Sequence, residues 1–298
     1  MLIGIDAGHR STTPGKRTPP LPYDIDLGYR VIKAGEQFRE HEAAVGVCVK
    51  LDAALKRCGL NTYKVAWNDA DGTDDEYLDD LGDRQMHVLE GGCDLLLSLH
   101  FNAYGNGSAF TNPEGVETFY HSTPARAGDS ARLADTVQRC IIQATGQRDR
   151  EVKKDTWSMT DCIMMGTKAA VLIELAFMTN EREAVEMMAN PDYWQTAAEA
   201  ICKGVCEYSG VNYVPERTED IELRYTRVTD IPEKNNFRAI INMLMDAKIL
   251  NGDGSDPDGN NDVIDLSHDM VRMFIFMYRG GLFDEELAAV DINPGMYR

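Results

Sequence analysis

Two histidines, His9 and His100, each close an apolar run that reads as a β-strand. His9 follows Leu2-Ile3-Gly4-Ile5-Asp6-Ala7-Gly8, and His100 follows Asp94-Leu95-Leu96-Leu97-Ser98-Leu99. In open α/β sheets, sites form where the C-terminal ends of strands open into loops. A single histidine in such a place is as often structural. Two of them, each followed by a polar or Gly-rich loop, point to a shared task. Neutral imidazole is a common zinc ligand, and a third protein ligand would leave one position open for water.

The third ligand falls in Arg39-Glu40-His41-Glu42, at the start of a helical pattern. Counting back along the apolar stripe Leu55, Leu51, Val47/Cys48 and Ala44 lands on Glu40. Glu42 follows the stripe through Val45 and Val49, turned about half a circle away. His41 and Glu42 stay as rivals, because acidic residues are favoured in a first helical turn by the helix dipole alone.

Glu174 interrupts the apolar strand Ala170-Val171-Leu172-Ile173-Glu174-Leu175-Ala176-Phe177. A carboxylate there is costly unless it is paired, hydrogen-bonded or reactive. Desolvation raises its pKa, which suits it to carrying a proton to and from a water.

The elements that must position these residues alternate. Strands are expected at residues 2–6, 61–66, 94–100, 116–120 and 169–175. Helices are expected at 36–57, 78–90, 125–145, 182–189 and 193–208. This order predicts an α/β fold, a mostly parallel twisted sheet flanked by helices. The alternation stops near Val214-Pro215. The reading is a catalytic domain over 1–214, a polar linker over 215–221 and a small helical C-terminal domain over 222–298. In that last domain helices are expected at 236–249 and 267–279, the second capped by Ser267. The aspartate-rich loop between them, 253–262, does not fit the EF-hand spacing and reads as a solvated turn.

A formal net charge of −19 argues against nucleic acid or an anionic membrane as partner. No run approaches the roughly 20 apolar residues of a membrane span. The N-terminus has the form of a strand rather than a signal peptide. The seven cysteines are scattered and form no Cys-x-x-Cys pair, so buried free thiols are expected rather than a thiolate zinc site. Cys202 and Cys206 stand four apart on one helical face.

Over about the first 210 residues the chain resembles the zinc-dependent N-acetylmuramoyl-L-alanine amidases of bacterial cell walls and phage endolysins. Ile3-Gly4-Ile5-Asp6-Ala7-Gly8-His9 is similar to that family's opening strand and first zinc histidine. Ser98-Leu99-His100-Phe101-Asn102-Ala103 is similar to its second zinc motif, and Gly115-Val116-Glu117-Thr118-Phe119-Tyr120 to the next strand. Val171-Leu172-Ile173-Glu174-Leu175-Ala176-Phe177-Met178-Thr179-Asn180 resembles the strand with its catalytic glutamate. The family's register also selects Glu40. The chain departs from the pattern at Arg10, Ala44 and Ala169-Ala170, which leaves every ligand in place.

The resemblance implies a zinc ion held by His9, Glu40 and His100, with Glu174 moving the proton. It implies peptidoglycan as substrate, cut between N-acetylmuramic acid and L-alanine of the stem peptide. Arg148-Asp149-Arg150 and Lys153-Lys154 then read either as contacts to stem-peptide carboxylates or as an exposed basic loop. Thr229-Asp230-Ile231-Pro232-Glu233 and Leu282-Phe283-Asp284 resemble the helical tail of some clostridial phage endolysins, which implies a wall-binding or assembly role and a lysin released through a holin. A zinc peptidase of related fold, a host autolysin and a non-catalytic wall-binding protein are the competing readings.

Overall fold

A computed structural model describes residues 1–67, 80–123, 127–216, 224–233, 236–251 and 262–297. The chain forms two compact units, Met1–Glu216 and Arg217–Arg298. Most of the expected linker and the loop 253–261 lie outside the described residues.

In the first unit the order is β1 (Leu2–Ala7), β2 (Ile25–Asp26), β3 (Val31–Ile32), α1 (Glu40–Arg57), β4 (Asn61–Val65), α2 (Leu81–Glu90), β5 (Leu95–Asn102) and β6 (Val116–His121). There follow α3 (Ala127–Thr145), β7 (Asp149–Asp155), α4 (Cys162–Met165), β8 (Ala169–Phe177), α5 (Glu181–Glu183) and α6 (Pro191–Ser209). Among the described residues six strands make one sheet in the order β4-β1-β5-β8-β6-β7. Its pairs are parallel except β6 with β8. The mostly parallel sheet read from the sequence is therefore present, with two strands, β6 and β7, running opposite to the other four.

Strand alternation sorts the two faces. On β5, Leu95, Leu97, Leu99 and Phe101 enter the larger core, together with Ile3 and Ile5 of β1, Val171, Ile173 and Leu175 of β8, and the inner faces of α1, α3 and α6. Leu96 and Ala170 turn to the other face, where Val88 of α2 and Cys162 and Ile163 of α4 cover them. Each fully buried Ile or Leu contributes about 1.5–3 kcal/mol, so both faces of the central strands are anchored along their length. His100 and Glu174 have the parity of Leu96 and Ala170, so they leave the sheet on the second face, beyond the end of that smaller core.

Two expectations need correction. Helix α1 begins at Glu40, four residues later than expected, because Arg39 is extended and its backbone bridges to Arg17. The basic stretch after Gln147 is the edge strand β7, not a loop. Its polar composition suits an edge, where one backbone side and one face meet solvent.

The second unit contains β9 (Arg224–Arg227), α7 (Phe237–Asp246), β10 (Val263–Ser267), α8 (His268–Arg279) and α9 (Asp284–Ala289). Its core joins Ile240, Ile241 and Leu244 of α7 to Val271, Ile275 and Tyr278 of α8. Ser267 Oγ accepts from Met270 N at 3.1 Å and caps α8. The antiparallel pairing of β9 with β10 adds a ribbon that the helical reading missed. No helix among the described residues is long and apolar enough to cross a membrane.

Candidate active site

His9, Glu40 and His100 converge at the C-terminal ends of β1 and β5 and the first residue of α1. His9 Nε2 lies 3.3 Å from Glu40 Oε2, and His100 Nδ1 lies 3.1 Å from Glu40 Oε1. The two rings meet edge to face, with centroids 4.9 Å apart. One potential ligand atom from each residue lies within 4.8 Å of the others. Glu40 is buried, and Oε1 also accepts from Phe101 N at 3.0 Å.

The backbone around His9 is held for this purpose. His9 sits at φ 60°, a left-handed conformation that costs a non-glycine residue free energy. Arg84 holds it there, donating to Ala7 O at 2.8 Å and to His9 O. Arg84 also pairs with the buried Asp6 at 3.0 Å, and Asp6 accepts from Ser98 Oγ at 2.5 Å. A Cβ on Gly8 would stand 2.5 Å from the His100 ring and 2.7 Å from Leu99 O, so only glycine lets β1 end this close to His100.

The rivals to Glu40 are committed elsewhere. Glu42 accepts from Arg30 Nε and Nη2, both at 2.6 Å, and from Tyr29 Oη at 2.9 Å. His41 sets Nδ1 3.1 Å from Gly8 O and steadies the loop rather than facing the other two ligands.

Glu174 is the register partner of His100 on one side and of Glu117 on the other. Its Oε2 is buried without a hydrogen-bond partner. Its carboxyl is raised to about 8, chiefly by burial; His100 opposes the rise, while the charges of Glu40 and Glu117 add to it. Glu117 is itself buried and balanced by Arg150 Nε at 3.0 Å, by Lys153 and by Asn102. Arg150 and Lys153 thus neutralise Glu117, a use that sequence reading did not foresee.

The two imidazoles diverge. Burial lowers the His9 pKa more than Glu40 raises it. In His100 burial also lowers it, but the hydrogen bond and charge of Glu40 outweigh that and leave it raised. Burial alone would raise Glu40, yet His100 and His9 beside its two oxygens bring it down.

A cavity of about 400 Å³ opens over these groups, lined by His9, Glu40, His100, Glu174, Lys16, Phe119 and Trp157. Trp157 is an exposed aromatic on its rim, edge-on to Phe119 with centroids 5.9 Å apart. Sequence reading missed Arg84 and Trp157, whose contacts run to residues distant in the chain.

Two imidazole nitrogens and a carboxylate oxygen match the preference of zinc for nitrogen and oxygen donors with a position left open. The buried Glu40 Oε2, facing His9 without a hydrogen bond, is the atom that a cation would satisfy. The residues fit the ion.

A layered α/β domain with ligand-type side chains and one isolated carboxyl at its strand ends has the layout of a metal-assisted hydrolase. The N-acetylmuramoyl-L-alanine amidase family matches residues 3–207, and the chain belongs to that family. A protein of Bacillus subtilis strain 168, YqiI, is 31% identical over 206 residues, spanning 69% of this chain and 84% of its own length. A cell wall amidase of Bacillus anthracis is 33% identical over 135 residues, 44% of this chain, and the match spans only 24% of that protein. The solved N-acetylmuramoyl-L-alanine amidase from Clostridium difficile 630 aligns with TM-score 0.53 and 25% identity, covering 70% of this chain and 96% of its own.

Proposed function

We propose that this protein is a zinc-dependent amidase that hydrolyses the bond between N-acetylmuramic acid and L-alanine in peptidoglycan. Family membership supports the bond class, and the convergence of His9 and His100 on the two oxygens of Glu40 carries the metal dependence. Bound by His9, Glu40 and His100, zinc would polarise the scissile carbonyl and acidify the attacking water.

The rest falls to the chain itself. Glu174, ionised, accepts the proton of the attacking water and returns it to the departing amine nitrogen of L-alanine. Its raised pKa makes it a stronger base than an exposed carboxylate and a competent acid in the second half. Glu117 stays paired with Arg150 and Lys153, so Glu174 alone is left to carry protons. Asp6 and Arg84 hold the His9 backbone, which fixes the ligand without touching substrate.

The likeness of the second unit's sequence to the tails of some clostridial endolysins is what supports reading it as a wall-binding or assembly module, and the whole chain as a cell-wall lysin.

The test is incubation with purified peptidoglycan, counting new amino termini and new reducing sugars. New L-alanine amino termini without reducing sugars, lost with chelator and restored by zinc, support the proposal. New termini at other residues would make it a peptidase. Activity untouched by chelation would remove the metal.

A further inference from the structure

A second group of potential ligands lies away from the amidase site. Cys58 caps the C-terminus of α1, and Cys202 and Cys206 stand one turn apart on α6. All three are buried, and their sulfurs lie within 4.8 Å of one another, with Cys58 Sγ and Cys202 Sγ 3.6 Å apart. The backbone N–H of Val214 donates to Cys58 Sγ at 3.3 Å, which holds that sulfur toward the pair on α6.

We propose that Cys58, Cys202 and Cys206 form a structural site for a soft, thiophilic cation. Three sulfurs each about 2.3 Å from one ion stand roughly 3.8–4.0 Å apart, which the observed triangle brackets. A disulfide needs two sulfurs at about 2.05 Å and would leave the third without a role. Soft thiolate donors select ions of the copper(I) and zinc class. The amidase ligands are nitrogen and oxygen donors, so the two sites differ in chemistry. The arrangement has no Cys-x-x-Cys signature because Cys58 comes from 144 residues away in sequence. Binding releases the three thiol protons and ties the end of α1 to α6.

The experiment loads the reduced, full-length protein with cadmium(II) and records its cadmium-113 spectrum, whose shift separates sulfur from nitrogen and oxygen ligands. The site predicts a resonance far downfield, in the range of several thiolates. That resonance is lost in Cys58→Ser, Cys202→Ser and Cys206→Ser, while any signal of the amidase site remains. Cadmium also raises the melting temperature of wild type by more than it raises that of the Cys→Ser variants. Where a serine variant fails to fold, the matching Cys→Ala variant is read instead. Absence of a sulfur-ligated resonance overturns the proposal, as does one that survives loss of any of the three cysteines. Counting five rather than seven thiols in denatured, unreduced protein would show a disulfide and also overturn it.

Discussion

His100 and Glu174 are register partners on adjacent parallel strands, β5 and β8. Partners in such a pair project to the same face, so the sheet ladder itself sets an imidazole beside a carboxyl. Neither depends on a loop for its placement. The ladder continues to Glu117 on β6, and its pairing with Arg150 and Lys153 of β7 leaves Glu174 the reactive carboxyl of the row.

Glu40 and Glu42 make a discriminating pair. Glu40→Gln should weaken zinc binding beyond the 10–100-fold typical of losing an outer partner, to about 1000-fold. Glu42→Gln should leave it within about threefold, costing only an exposed pair with Arg30 worth up to about 1 kcal/mol. Titration calorimetry with zinc compares them, and the reverse ranking would show the wrong glutamate has been assigned.

Gly8→Ala should separate site geometry from fold. The added Cβ meets the His100 ring at 2.5 Å and the Leu99 carbonyl at 2.7 Å, so one side must move. Such overpacking costs about 1–3 kcal/mol. The expected outcome is a folded protein, by circular dichroism, with zinc affinity lowered at least about tenfold. Wild-type affinity in Gly8→Ala would mean that the close approach of β1 to His100 is immaterial.

Stability should carry the mark of Glu174. Its folded-state value, about 8, exceeds its ordinary 4.5. The proton is held more tightly in the fold, so this contribution is full below about 4.5 and is lost as the pH rises through 8. In metal-free protein with chelator, Glu174→Gln should match wild type near pH 4.5. It should then gain on wild type as the pH rises, by on the order of several kcal/mol at pH 9, read as a growing difference in melting temperature. A difference that is flat with pH would refute the burial of this carboxyl.

Much of this site was legible in the sequence because strands report their own ends. The runs before His9 and His100, and the single carboxyl in the strand at Glu174, are local signals. The stripe through Ala44, Val47, Leu51 and Leu55 is buried, and it ends on the buried Glu40. What escaped was long-range. Arg84 stands 78 residues from Asp6 in sequence, and only the fold shows it gripping Asp6 and the backbone before His9. β7 was hidden because an edge strand of Arg, Lys and Asp has no apolar alternation to betray it. Cys58 meets Cys202 only through the packing of α1 on α6.

The most direct test of the account compares zinc-loaded wild type with zinc-loaded Glu174→Gln on intact peptidoglycan, with mass spectrometry of the released fragments. Zinc content is measured on both proteins first, so that a lost metal is not mistaken for a lost base. Wild type should release stem peptides beginning with L-alanine. Glu174→Gln should hold zinc and release them about 100- to 10,000-fold more slowly, the span of a general base. Equal rates from the two proteins, or fragments cut within the stem peptide, would contradict it.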